Sequence, residues 1–155
     1  MSRTKKAIAI IFAFLIVGTL AFIWGNSMAT KEKSAEVSSS VYEEVEPVLD
    51  TVLGEGTVDE FSFRKLAHFS EFFVLGLEIE LLILTLNGLN IKRFLLSLPF
   101  GLAVGVIDEI IQIFSERGAA VKDVFIDFSG FLLAFIIFAV AFLIGRGKEK
   151  KTKKS

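Results

Sequence analysis

Three ionisable side chains lie at helical spacing within one apolar stretch of the sequence. Arg64, His68 and Glu71 are separated by four and three residues, so they share one face of a helix. Charged groups in an apolar environment are costly, and they usually face a bundle interior or mark a functional path. A histidine beside a carboxylate suits acid–base chemistry or a divalent cation, whereas an arginine suits a phosphate.

Later apolar stretches carry further polar residues at the same kind of spacing. Asp108 and Gln112 are four apart, as are Asp123 and Asp127. If the stretches are membrane helices of alternating direction, all these residues lie within roughly two turns of one membrane face. The candidate functional cluster is therefore Arg64, Lys65, His68, Glu71, Asp108, Glu109, Gln112, Arg117, Asp123 and Asp127. The alternative is purely structural, with polar groups acting as glue between helices.

Helix dipoles predict one contact within this cluster. Arg64 falls at a helix N-terminus, where a cation is unfavourable, while Asp108 and Glu109 fall near a C-terminus, where an anion is unfavourable. We therefore expect Arg64 to form a salt bridge with Asp108 or Glu109. We also expect the surrounding carboxylates to hold His68 as a protonated cation, against the opposing effect of burial.

Four apolar runs of spanning length contain or flank these residues, at 7–24, 66–86, 94–114 and 124–144. The composition is 53% hydrophobic with a mean hydropathy of +0.64, and a bilayer core takes roughly 20 helical residues. Because only helices and closed barrels satisfy the backbone in lipid, runs of this length are helices. We predict an all-α polytopic membrane protein with a four-helix transmembrane bundle, formed by residues 1–155 as a single domain.

The first run has a second interpretation as a signal peptide. Basic residues precede it, and Ser27, Met28 and Ala29 resemble a small-x-small cleavage site. The run of 18 residues is longer than the usual core of roughly 7–15, which favours a retained span. The chain has no Cys, which excludes disulfides and Cys-ligated zinc.

The distribution of Lys and Arg predicts the orientation. With both termini cytoplasmic, the inner segments hold 11 of the 17 basic residues: Arg3, Lys5, Lys6, Lys92, Arg93, Arg146, Lys148, Lys150, Lys151, Lys153 and Lys154. Cytoplasmic loops carry such an excess. The basic tail, residues 145–155, is interpreted as an anchor on anionic headgroups rather than a nucleic-acid-binding segment.

The segment 25–65 is then external, and it contains an amphipathic pattern. Valines recur at spacings of three and four, which predicts a helix between spans 1 and 2: Val37, Val41, Val45, Val48 and Val52. Ser34 is its expected N-cap, and Pro47 is expected to bend or end it. The valine face either rests on the membrane, closes over the bundle, or belongs to a solvated connector.

Three motifs in order resemble those of the VanZ-like family. Residues 63–76 resemble its R-K-x-A-H-F-x-E-Y-x-x-L-G motif, 108–114 resemble D-E-x-x-Q-x-F, and 117–130 resemble R-x-x-x-x-x-D-V-x-x-D-x-x-G. Upstream, Ser27, Ser34 and Ser38 fall where that family tends to place serines. The sequence departs from the pattern at Phe72, which replaces a common Tyr, around Arg117, and at two unexpected acids, Glu78 and Glu80.

The resemblance implies a small bacterial cell-envelope protein, in a family whose namesake raises resistance to the glycopeptide teicoplanin. It implies no known reaction. Glu78 and Glu80 lie deeper in the second run and point to different faces, and we assign them no role.

Three functions remain open from the sequence. The first is binding of a polar or phosphate-bearing lipid or lipid-linked cell-wall precursor at the outer leaflet, with Arg64, Lys65 and Arg117 as anion contacts. The second is an enzyme, in which His68, Glu71, Asp108 and Asp127 form an acid–base or metal site. The third is a structural or partner-binding protein. We predict no cofactor, although a divalent cation, Mg²⁺ or Mn²⁺ rather than zinc, remains an option. Membrane lipids are the expected partners.

Overall fold

A computed structural model of the chain describes residues 1–88, 90–118 and 120–152, with the side chains of 146–152 excepted. The described chain folds into helices without a strand. They are α1 (Arg3–Ser27), α2 (Lys31–Leu53), α3 (Glu60–Asn87), α4 (Ile91–Leu95), α5 (Ser97–Phe114) and α6 (Val121–Thr152). Of the predicted basic tail, Lys153 and Lys154 lie outside the described residues.

Three stretches are long and apolar enough to cross a membrane: Arg3–Ser27, Ile91–Phe114 and Val121–Gly145. The second of these combines α4 and α5, since the helix predicted at 94–114 is interrupted at Leu96. The predicted all-helical membrane class is confirmed. Helix α3 has 28 residues but carries several charges, and its role as the fourth span stays a prediction.

Helix α3 occupies the centre of the packing, lying mainly against α6 and then against α1, while α5 packs on α6 and α1. Small residues let the α3 and α6 backbones approach closely. A Cβ atom at Gly130 would collide with the carbonyl oxygen of Phe69, and one at Gly76 would lie 2.7 Å from Cβ of Ala134. Small residues at helix interfaces are typical of membrane bundles. This contact sets the separation between the polar residues of α3 and those of α6.

Helix α2 confirms the amphipathic helix but differs in its details. Thr30, rather than Ser34, is the N-cap, and its hydroxyl accepts from the backbone N–H of Lys33 at 3.4 Å. The expected end at Pro47 is wrong, since α2 continues through it to Leu53. The proline lacks only one backbone donor, and helical bonding resumes beyond it.

The polar side of α2 faces the beginning of α3. The Tyr42 hydroxyl donates to the carbonyl of Val58 at 2.7 Å, and the Ser39 hydroxyl donates to Glu60 at 2.8 Å. The opposite side carries four exposed valines: Val37, Val41, Val48 and Val52. The valine face therefore does not close over the bundle.

The N-terminus of α3 is capped by Asp59, whose carboxylate accepts from the backbone N–H of Ser62 at 2.8 Å. The hydrogen bonds from Ser62 hold the pKa of Asp59 below its usual value. This cap fixes the start of α3 at Glu60, so Arg64 lies in its second turn, close to the helix end as the sequence predicted.

Candidate functional site

The predicted polar cluster gathers at one end of the molecule, where α1 and α5 end and α3 and α6 begin. We call this region the charged end. Ser27 at the end of α1 contacts Asp108 of α5, and Lys65 of α3 contacts Asp123 of α6. The alternation of helix directions inferred from the sequence thus brings distant motifs together.

A cavity of about 330 Å³ lies at the charged end. Seven of the ten predicted cluster residues line it: Arg64, Lys65, His68, Gln112, Arg117, Asp123 and Asp127. The other four lining residues are Lys31, Phe61, Gly118 and Ile126. The other three predicted residues, Glu71, Asp108 and Glu109, contact the surrounding helices without lining the cavity. Four of the lining side chains are cationic, Lys31, Arg64, Lys65 and Arg117, and Phe61 and Ile126 add apolar surface.

Asp108 is fully buried and accepts hydrogen bonds at both oxygens. The Ser27 hydroxyl donates to Oδ1 at 2.6 Å, and the Gln112 amide donates to Oδ2 at 2.8 Å. These contacts fix the carboxylate between α1 and α5. A buried carboxylate needs such donors because an unsatisfied one is strongly disfavoured.

The predicted salt bridge of Arg64 with Asp108 or Glu109 is wrong. No ion pair joins these side chains, all of which lie in the described part of the chain. Glu109 instead accepts from the backbone N–H of Ala120 directly before α6, and Asp108 has its two neutral donors. Arg64 turns toward α2, where its guanidinium donates to the Ser34 hydroxyl at 3.5 Å.

An ion pair forms instead between the next residue of α3 and the first turn of α6. Lys65 Nζ lies 2.6 Å from Asp123 Oδ1, and 4.6 Å from the centre of the Phe61 ring. Since Asp123 lies in the first turn of α6, its charge also complements the helix dipole. This pair closes one side of the cavity.

His68, Asp108 and Asp127 converge from three helices. One ligand atom from each lies within 4.8 Å of the other two. His68 Nδ1 is 3.9 Å from Glu71 Oε2 and has no hydrogen-bond partner among the described residues. The expectation that His68 is a protonated cation stays a prediction, since Glu71 also accepts from the Asn26 amide at 3.2 Å and Asp108 has its own donors.

Asp127 differs from the other buried acids of the cluster. It is 2% exposed and lines the cavity, yet no hydrogen bond or ion pair reaches its carboxylate from the described residues. Ordinary packing of a carboxylate would supply donors, as it does for Asp108. The side chain is thus oriented toward the cavity without a protein partner.

Arg117 lies on the turn between α5 and α6, where Glu116 and Gly118 adopt positive φ angles of 57° and 79°. Its guanidinium donates to the Asn26 carbonyl at 3.0 Å, which also accepts from the backbone N–H of Ala29 at the end of α1. Burial, together with the nearby Arg64 cation, lowers the pKa of Arg117. The two arginines therefore repel each other across the cavity, although both remain charged.

The sequence analysis missed the contribution of α1. Asn26 contacts Glu71 and Arg117, and Ser27 contacts Asp108. Asn26 was not considered, and Ser27 was considered only as part of a possible cleavage site or a family serine pattern. The alternation of helix directions already placed the end of α1 at the same membrane face as the cluster. Helix direction could therefore have identified Asn26 and Ser27 from the sequence.

Glu78 and Glu80 lie apart from this cluster, on different faces of α3 as expected. Glu78 accepts from the Thr19 hydroxyl of α1 at 3.0 Å, and Glu80 accepts from the Ser97 hydroxyl at the start of α5. Each acid therefore links α3 to one neighbour.

The comparisons with known proteins agree with the motifs. The family model VanZ/LLP1 matches residues 7–143, which include every residue of the candidate cluster. Searches of curated proteins and of solved structures give no match. With its apolar helices and a family match over most of its length, the chain belongs to the VanZ/LLP1 family and is a VanZ-like membrane protein.

Proposed function

We propose that the protein crosses the bacterial cell membrane four times, with α3 as the fourth span and the charged end on the outer side. The 11 basic residues of the inner segments support cytoplasmic termini. The Cys-free chain permits a direct test with Val45→Cys and Ser2→Cys. A membrane-impermeant maleimide applied to intact cells should label only Val45→Cys, and labelling of Ser2→Cys alone would reverse the proposed orientation.

At the outer face, we propose that the cavity binds the headgroup of a phosphate-bearing lipid. The observation that carries this function is the pair of arginines, Arg64 and Arg117, which line one cavity without a carboxylate partner among the described residues. Two neighbouring guanidiniums repel each other, and an anion between them relieves that repulsion. Phosphate matches the planar donor array of arginine.

The remainder of the cavity fits an amphiphile. Lys31 adds a third cation without an ion-pair partner in the described part of the chain, and Phe61 and Ile126 offer apolar surface beside the charged groups. A volume of about 330 Å³ lies at the lower end of the range for small-molecule sites, roughly 300–1,000 Å³. That size suits a headgroup, with the acyl chains remaining in the surrounding membrane.

Native mass spectrometry of the detergent-purified protein tests the proposal with a short-chain phosphatidic acid and the diacylglycerol of the same chains. Phosphatidic acid should bind in preference to the neutral lipid. The double variant Arg64→Gln/Arg117→Gln should bind it at least tenfold more weakly. The matched control Lys92→Gln/Arg93→Gln removes two charges outside the cavity and should change binding less than twofold. Equal losses in both variants would mean that the lipid responds only to overall charge.

We further propose that the bound lipid is a cell-wall precursor, and that binding contributes to teicoplanin resistance. The family membership and the phosphate chemistry of the cavity support this step. A susceptibility assay in a glycopeptide-sensitive host compares the wild type with Asp127→Ala at matched membrane levels. Full resistance in that variant would leave the buried cluster with only a structural role.

An enzyme is the second candidate, and the convergence of His68, Asp108 and Asp127 favours it. An imidazole and two carboxylates beside a lipid cavity are suited to acid–base catalysis. Mass spectra of phosphatidic acid recovered after prolonged incubation distinguish the two functions. An unchanged lipid supports binding, whereas a new product that His68→Gln abolishes supports an enzyme.

A further inference from the structure

We propose that His68, Asp108 and Asp127 bind one divalent metal ion at the wall of the cavity. The inference does not rest on lipid binding, and its test uses the metal alone. It begins from the meeting of three ligand residues on three different helices, α3, α5 and α6, at a single point of the charged end.

The geometry suits a single ion. The three ligand atoms lie within 4.8 Å of one another. Ligands on opposite sides of an ion bonded at roughly 2.1 Å are about 4.2 Å apart, so modest side-chain adjustments bring all three into contact. Close contacts limit larger movement of the helices that carry them: Gly130 of α6 lies against Phe69 of α3, and Gly101 of α5 lies against Phe131 of α6.

The second observation is the unpartnered carboxylate of Asp127. This side chain is 98% buried, faces the cavity and receives no donor from the described residues. A buried anion without a partner is strongly disfavoured, and bound cations are one of the few ways in which proteins stabilise it. Because Asp108 and His68 present their own ligand atoms to the same point, a cation placed there satisfies Asp127.

The surroundings of Asp108 match those of a metal ligand. Ser27 and Gln112 hold its two oxygens, and each oxygen retains a further lone pair for an ion. Metal-binding carboxylates are usually oriented by hydrogen bonds of this kind from outside the coordination sphere. One imidazole with two carboxylates favours Mn²⁺ over the harder Mg²⁺, which prefers oxygen alone, and leaves positions for water.

The test titrates Mn²⁺ into the detergent-purified full chain, without phospholipid and without a histidine tag, and follows bound Mn²⁺ by electron paramagnetic resonance. His68 is the sole histidine of the chain. Electron spin echo modulation from an imidazole nitrogen in the bound-Mn²⁺ signal therefore identifies it as a ligand without any substitution. Absence of saturable binding, or of the nitrogen modulation, would overturn the proposal.

Variants then separate coordination from general attraction of cations. Asp127→Asn should weaken Mn²⁺ binding at least tenfold, and His68→Gln should abolish the nitrogen modulation. Asp123→Asn removes a carboxylate one turn earlier on α6, where Lys65 already pairs with it, and should change affinity less than threefold. If Asp123→Asn weakens binding as much as Asp127→Asn, the acids act as a diffuse negative field and the site is refuted.

Discussion

Buried acids occur in two regions of this protein, and the regions differ in how the acids are satisfied. In the part of α3 away from the charged end, the half-buried Glu78 and the buried Glu80 each accept one hydroxyl hydrogen bond from a neighbouring helix, from Thr19 and Ser97. At the charged end, acids meet basic and amide side chains around a cavity, and Asp127 has no donor among the described residues. Glu78 and Glu80 each keep one oxygen, Oε2, without a donor, but among the described residues neither belongs to a group of converging metal-ligating side chains. At the charged end such a group converges beside a cavity.

The comparison shows that burial of a charged residue type does not by itself indicate function. Glu80 is fully buried, as Asp108 is, but its hydroxyl contact is what helix–helix glue provides. Asp108 has the same kind of contact from Ser27, and in addition faces His68 and Asp127 within ligand distance. What distinguishes Asp108 from Glu80 is that other ionisable side chains converge with it at one point beside a cavity.

The largest expected effect is that of Asp108→Asn. The amide keeps the volume but offers one acceptor, so either Ser27 or Gln112 loses its partner. A buried donor without an acceptor costs about 1–3 kcal/mol, which thermal unfolding in detergent measures as a lower midpoint. Mn²⁺ affinity should fall more than tenfold in the same preparation. If the midpoint falls but Mn²⁺ affinity is unchanged, Asp108 only links helices, as Glu80 does, and the proposed difference between the two regions is wrong.

A smaller and more selective effect is expected for Ser27→Ala. Its hydroxyl holds Asp108 Oδ1 at 2.6 Å, and loss of such an orienting contact typically weakens metal binding roughly 10–100-fold. Ser97→Ala is the matched control, because it removes a buried hydroxyl from Glu80, away from the charged end. Both variants should lose about 1 kcal/mol of stability, but only Ser27→Ala should weaken Mn²⁺ binding. Equal weakening by both would mean that the effect arises from general loosening of the bundle.

The sequence predicted which residues gather at the charged end, because helix direction and residue spacing determine depth. It also predicted that Glu78 and Glu80 would point to different faces of α3, since they are two positions apart on a helix. The helical class, the amphipathic α2 and the family follow from hydropathy, valine spacing and three ordered motifs.

The pairing of charges could not be predicted in the same way. The dipole argument paired Arg64 with Asp108 or Glu109. In the structure, hydroxyl and amide donors from Ser27 and Gln112 satisfy Asp108 instead. Arg64 then turns to Ser34 of α2. Which donor contacts which acid depends on the distances between side chains of different helices. The spacing of residues along one helix does not determine those distances.

The smallest expected effect belongs to Glu80→Gln. The amide retains an oxygen that can accept from the Ser97 hydroxyl, so the one hydrogen bond of Glu80 survives the substitution. The free energy of unfolding should change by less than about 1 kcal/mol, because the substitution replaces a carboxyl with an amide of similar size and keeps this hydrogen bond. Neither Mn²⁺ affinity nor phosphatidic acid binding should move more than twofold, as measured by the same titration and native mass spectra. A tenfold loss of affinity for either ligand in Glu80→Gln would place a functional group away from the charged end. The contrast between a linking region and a ligand-binding region would then fail, because both would depend on carboxyl chemistry.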